Sequence, residues 1–255
     1  MENQYNVRAV ERSLIILELF KEANKPLSLT EISLQTDLSK TTALRLLTTL
    51  MEKGFIHFDE ESKKYSLGFE LFMLGQSLSQ SLDIRNIAEP YLKELTVETK
   101  LIAHLGIYDN NHIVILEKVF PEGRHFQKMY SRVGAILPIH CTSLGKILIS
   151  DKSDNEIRKT LEKYNFYPFT ENTARNIDQF LDMIHEVRKS GYAMDNCEHE
   201  PYVKCMAVPV FKSKKNEMVA SISLTGIKEE INNMDPKYVL ENLCKAARAI
   251  SSKIG

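Results

Sequence analysis

Residues 26 to 69, PLSLTEISLQTDLSKTTALRLLTTLMEKGFIHFDEESKKYSLGF, set two short helical patterns on either side of a tight turn and follow them with two β-rich runs around an acidic loop. Thr30 reads as an N-cap ahead of Glu31, Ile32 and Leu34, in a helix that Thr36 and Asp37 close. Ser39 reads as a second N-cap. From there to Lys53 the apolar residues Ala43, Leu46, Leu47 and Leu50 fall at the spacing of one buried helical stripe, and Gly54 ends the helix. Phe55 to Phe58 and Lys64 to Leu67 suit two antiparallel strands joined by Asp59 to Lys63. In one dimension this order is a winged helix-turn-helix.

The face opposite the stripe carries Lys40, Thr41, Thr42, Arg45, Thr48 and Thr49, with no carboxylate before Glu52. Such a face suits the major groove of DNA. Hydroxyls and helix N-terminal N–H groups hold phosphate, while Arg can reach guanine with two hydrogen bonds. The candidate DNA contacts are Ser39, Lys40, Thr41, Thr42, Arg45 and Thr48, with Lys63 and Lys64 from the wing. The competing reading is a small helical subdomain with a solvated threonine-rich face. Charge does not decide between them, because residues 1 to 80 hold nine Lys+Arg against eleven Asp+Glu. Positive charge is only local, which favours modest affinity that depends on a dimer.

With 255 residues, 43% hydrophobic and a net charge of −1, the chain is long enough for two domains and carries no field suited to coating nucleic acid or a membrane surface. No apolar run reaches the length of a membrane span, and the N-terminus lacks the apolar core of a signal peptide, so a cytoplasmic protein without a membrane partner is expected. Cys141, Cys197, Cys205 and Cys244 are scattered, as reduced thiols would be. Cys197, His199 and Cys205 match no zinc spacing, so neither a metal nor a cofactor is expected.

Val7 to Lys21 reads as a helix that completes a three-helical core, using Val10, Leu14 and Leu17 with Ile16, Leu19 and Phe20. The expected domains are a winged helix-turn-helix at 1–68, a connecting helix at 69–82 and an effector-binding domain at 83–255. In the last, residues 84 to 100 read as a helix that Pro90 kinks or restarts. A hairpin follows over 101 to 108 and 112 to 119, then helices at 142–150, 153–164 and 176–190, strands at 204–211 and 217–225, and a helix from about 236. The fold class is therefore α+β, with an antiparallel sheet of the GAF-like sensor kind rather than a parallel nucleotide-binding one.

Three segments point to a ligand pocket. Residues 219 to 226 alternate, with Ala220, Ile222 and Leu224 on one strand face and Ser221, Ser223 and Thr225 on the other. That polar face either meets water or lines a pocket. In LPIHCTSLGKILIS a helix starts near Thr142, leaving the N–H groups of Ser143 and Leu144 available to a carboxylate. A polar loop from Asp195 to Glu200, leading into a strand, is of the sort that covers a site.

The segments RAVERSLIILELF, PLSLTEISLQTDLSKTTALRLLTTL, GFIHFD, LPIHCTSLGK, GYAMDNCEHEPYVKCMAVPVF and VASISLTG together resemble the IclR family of bacterial transcriptional regulators, in order and spacing, from about residue 5 to the end. The resemblance implies an effector site built from the N–H groups of Ser143 and Leu144, the side chains of Asp195, Cys205, Ser223 and Thr225, and apolar walls at Met129, Leu137 and Val203. The chain departs from the family pattern at Ser143 and Cys197, where relatives carry a small residue and a Glu. Both positions are expected close to the ligand. The implied protein is a dimer or dimer of dimers, a repressor of palindromic double-stranded operator DNA, that answers to a small carboxylate and performs no catalysis.

Two other readings remain. One is a sensor that acts through protein partners, which exposure of Lys40, Thr41 and Arg45 would disfavour. The other is a hydrolase, since Ser143 and Lys146 match S-x-x-K and Ser153-Asp154-Asn155 supplies S-D-N, although no K-T-G strand follows.

Overall fold

The computed structural model describes residues 6–123, 131–212 and 217–254. These divide into two compact units, one ending at Leu82 and the other beginning at Asp83.

In the first unit, α1 (Arg8–Ala23), α2 (Leu29–Thr36) and α3 (Lys40–Glu52) surround a core of Ile16, Phe20, Leu27, Ile32, Ala43, Leu47, Ile56 and Tyr65. Leu46 and Leu50 complete the expected stripe as partly buried neighbours of that core. Of the α1 residues expected to pack, Val10 and Leu14 are exposed in this chain. Ile16 and Phe20, expected with them, are buried, and Leu17 and Leu19 pack partly against the core. The α2 N-cap is Ser28, not Thr30. Its hydroxyl accepts the Glu31 N–H at 3.3 Å while the Glu31 carboxylate accepts the Ser28 N–H at 2.8 Å, a reciprocal box that Thr30, one residue from Glu31, could not close. Ser39 does cap α3, accepting the Thr42 N–H at 3.2 Å.

The wing has three strands rather than two. β1 (Leu27–Ser28) pairs with β3 (Lys64–Leu67), which pairs with β2 (Ile56–Asp59). Gly54 sits at φ +74° after α3, and a Cβ at Gly68 would run into the Gly54 carbonyl, so the chain closes tightly there only with glycine. α4 (Phe69–Ser81) ends the unit.

The second unit begins with α5 (Asp83–Thr99), which runs through Pro90 without restarting. It is built on a six-stranded antiparallel sheet of β4 (Ile102–Asp109), β5 (His112–Val119), β6 (Ile136–Leu137), β7 (Ala193–Asn196), β8 (Val203–Lys212) and β9 (Glu217–Ile227), in the order β6-β5-β4-β9-β8-β7. β6 and β7 are short edge strands that carry too little alternation to read from sequence. Asp195 therefore lies on a strand, not in the loop where it was expected. α6 (Ser143–Ile149), α7 (Asp154–Thr160) and α8 (Ile177–Ser190) pack with one sheet face around Ile115, Leu144, Ile147, Phe180 and Ala207. α7 stops short of the expected 164, because Tyr164 leaves the helix to bond the chain ahead of α6. α5 and α10 (Pro236–Lys253) pack together and against β4, β5, β8 and β9, with the short α9 (Lys228–Asn232) between β9 and α10. Ser221, Ser223 and Thr225 are 0%, 2% and 5% exposed, so β9 has no wet face and the simple amphipathic reading fails.

Candidate functional site

On α3, Lys40, Thr41 and Arg45 are exposed, as the groove-facing reading requires. The hydroxyls of Thr48 and Thr49 bond back to the carbonyls of Leu44 and Arg45, at 2.9 and 3.2 Å, and Thr42 meets Ser39 at 2.9 Å. In the wing, Lys63 is paired with Glu60 at 2.7 Å, whereas Lys64 is exposed beside it.

In the second unit the sheet register gathers the polar residues. Asp195 pairs with Cys205, Cys205 with Thr225, and Ser223 lies between Ala207 and His104, with Lys118 beyond. Directly opposite residues share a face, so all of these point to the side that α6 covers. There they enclose a cavity of about 40 Å³. Leu137, Ser143, Leu144, Asp195, Val203, Cys205, Ser223 and Thr225 all line it. Met129 lies outside the described residues. Cys197 does not line it. It occupies a positive-φ turn after β7, at φ +59°, which carries it off the cavity face.

Thr142, His199 and Glu200, from segments the sequence pointed to, line the cavity too, as do His104 and Ser131, which were not legible as site residues. His104 sits in a hydrophobic strand, and its place became known only through its partners: Nδ1 is 3.4 Å from Thr225 Oγ1 and Nε2 is 3.1 Å from Ser131 Oγ. Burial, aided by nearby Lys118, drives its pKa down to about 3, so the ring is neutral. Burial drives Asp195 the other way, up to about 7, although the N–H groups of Glu198 and His199 favour its anion.

α6 starts at the cavity wall because Thr142 caps it, accepting the Gly145 N–H at 3.2 Å and donating to Pro138 O at 2.7 Å. The hydroxyls of Ser143 and Ser223 and the N–H groups of Ser143 and Leu144 make no hydrogen bond to a described residue. Lys146 behind them is not free: it meets both Glu198 oxygens, at 2.6 and 2.7 Å, in a pair whose side chains are 4% and 6% exposed. Ser153 caps α7, and Asp154 binds Arg188 and His185, so the S-D-N residues serve helix packing. Among the described residues no group of His, Cys, Asp and Glu is placed to hold a metal, and no helix is long and apolar enough to cross a membrane.

A winged helix-turn-helix and an α+β unit with a buried polar cavity, in one chain, define a DNA-binding transcriptional regulator. Residues 9–60 match the IclR helix-turn-helix domain and residues 76–252 the bacterial transcriptional regulator IclR C-terminal domain, and the chain belongs to the IclR family. It is 36% identical over 249 residues to the HTH-type transcriptional regulator XynR of Escherichia coli (strain K12), with 98% of each chain covered. It is 32% identical over 250 residues to KdgR of the same organism, covering 98% of this chain and 94% of that one. An IclR transcriptional regulator from Alicyclobacillus acidocaldarius superposes with a TM-score of 0.84 at 25% identity, covering 98% of this chain and all of the other. An IclR homolog from Microbacterium hydrocarbonoxydans, complexed with 4-hydroxybenzoate, shares the fold at a TM-score of 0.82 and 20% identity, over 96% of this chain and 98% of that one.

Proposed function

We propose that the cavity binds a small organic acid and that its occupancy controls operator binding by a homodimer or dimer of dimers. The observation that carries this reading is the set of polar groups without a partner among the described residues: the Ser143 and Ser223 hydroxyls and the N–H groups of Ser143 and Leu144. These groups belong to residues that line the cavity, where a ligand or ordered water can take up their hydrogen bonds. A carboxylate at Ser143 and Leu144, with Ser223 and Thr225 on its flank and Leu137 and Val203 as walls, would satisfy them. A cavity of about 40 Å³ has room for two or three waters.

Acid binding would shift a pre-existing equilibrium between arrangements of two winged helices, only one of which matches the half-site spacing of a palindromic operator. The output is repression, and the protein works in the cytoplasm. Exposure of Lys40, Thr41 and Arg45 favours DNA over a protein partner for this face. The chain is read as non-catalytic, because Lys146, the base that S-x-x-K chemistry needs, is bound by Glu198.

Calorimetry with a panel of short organic and sugar acids tests the cavity. A hydroxyl bonded to a charged group contributes ~1.5–3 kcal/mol, so Ser223→Ala should weaken the acid that binds roughly tenfold or more. Equal affinity in wild type and variant refutes the assignment.

A further inference from the structure

A chain of hydrogen bonds crosses the cavity floor. Lys118 Nζ donates to Ser131 Oγ at 2.8 Å, and Ser131 Oγ is 3.1 Å from His104 Nε2. His104 Nδ1 is 3.4 Å from Thr225 Oγ1, Thr225 donates to Cys205 Sγ at 3.2 Å, and the Cys205 thiol faces Asp195 Oδ2 at 3.8 Å. The path runs from β5 by way of Ser131 through β4, β9 and β8 to β7. The direction is fixed from the far end: the Cys205 thiol donates to Asp195 and accepts from Thr225, so Thr225, its one proton spent, accepts from Nδ1–H. The neutral ring then accepts at Nε2, from Ser131. All the donors therefore run toward Asp195.

At that end the carboxyl already faces donors on both oxygens, with the Cys205 thiol at Oδ2 and the Glu198 N–H at Oδ1, 2.7 Å away. Asp195 is 3% exposed. The titratable groups around it are Cys197, Glu198, His199 and Glu200 after β7, Cys205 from β8, His104 from β4 by way of Thr225, Lys146 from α6, and Cys141 ahead of α6. Lys146 is the one cation of this set, and Glu198 holds it with both oxygens. Among the described residues two buried acids thus face one ammonium, which Glu198 already holds, so an ionised Asp195 would be poorly compensated. Burial indeed raises its pKa to about 7. A proton on Oδ2 meets the Cys205 thiol, whose own proton already points there, so an acceptor entering from the cavity suits it better. The open direction is the cavity.

We propose, resting on the acid-binding reading above, that Asp195 meets the effector as a neutral hydrogen-bond donor, so that the regulator takes up an organic-acid anion together with one proton. Where Asp195 is ionised in the free protein, the proton comes from solvent, forms the Asp195 O–H bond, and is shared with an acceptor oxygen of the acid. No other bond forms or breaks.

The first measurement needs no ligand. Infrared difference spectra of the full chain across about pH 6 to 8 should show the C=O band of a protonated carboxyl that titrates near 7 and is missing from Asp195→Asn. Identical difference spectra for the two proteins overturn the proposal. The second uses pyruvate and 4-hydroxybenzoate as probe acids, with calorimetry in buffers of differing ionisation heat. Wild type should take up close to one proton per acid bound above pH ~7.5, with affinity falling about tenfold per pH unit, whereas Asp195→Asn, checked for cooperative unfolding, should bind with no such slope. Flat wild-type affinity, or the same slope in the variant, overturns it. If neither probe binds, the acid-cavity reading has failed for these acids, and the infrared result alone decides the proton.

Discussion

Replacing Lys146 by Met would remove the cation that pairs with Glu198 and leave most of the side-chain volume in place. The pair is held at 2.6 and 2.7 Å, and Glu198 Oε1 also accepts the Asn196 N–H at 3.1 Å, so the carboxylate has nowhere to turn for solvent. Breaking a buried pair from one side costs ~3–5 kcal/mol, because a buried charge is left uncompensated. In a unit of this size each kcal/mol lowers the melting temperature by roughly 2–4 °C, so the transition of the 83–255 unit should fall by roughly 6–20 °C. The double variant Lys146→Met with Glu198→Met removes both charges and should recover most of that loss. Calorimetric unfolding of wild type, both single variants and the double variant gives the coupling directly. A single variant that loses less than ~1 kcal/mol, or losses that simply add in the double, would refute the claim that this pair is desolvated and mutually dependent.

Ser28→Ala should cost the first unit ~1 kcal/mol by opening the capping box, whereas Thr30→Ala should cost little, and thermal unfolding separates the two. Arg45→Ala should cost ~1–3 kcal/mol on operator DNA with the loss concentrated at one base pair, and uniform weakening on all sequences would make Arg45 a phosphate contact. His104 has a folded pKa of about 3, depressed below its unfolded value, so its neutral form supports the fold fully above about pH 6.5 and that support is lost as pH falls toward 3. Denaturant titrations at about pH 7.5 and 5.5 should show wild type losing about 1.4 kcal/mol more than His104→Gln over that interval. The comparison with the variant cancels the opposite trend of Asp195, and equal losses would contradict a buried neutral ring.

Local rules found the three core helices and two of the three wing strands of the first unit. Ala43 and Leu47 are buried because a helix of period 3.6 must turn them to the same side, and Gly54 ends that helix because its left-handed conformation suits glycine. The resemblance carried the site residues that the structure brings to one cavity, and the alternation in β9 named the face they share. The location of the α2 cap was missed by a local error, since the Ser28 and Glu31 pair was there to be read. What sequence could not supply depended on partners far away in the chain. Ser221, Ser223 and Thr225 look the same along the strand, but the Ser221 hydroxyl is spent on Val208 O at 2.9 Å, while Ser223 and Thr225 open to the cavity. His104 reads as an interruption in an apolar run until the sheet sets it between Ser223 and Lys118. Lys146 reads as a base until Glu198, 52 residues on, closes over it. Periodicity and capping act over one helical turn or one strand pair, so the sequence alone determined the elements and the faces they bury. Protonation states and hydrogen-bond direction depend on the dielectric and the partners that assembly brings together, so only the tertiary structure decided them.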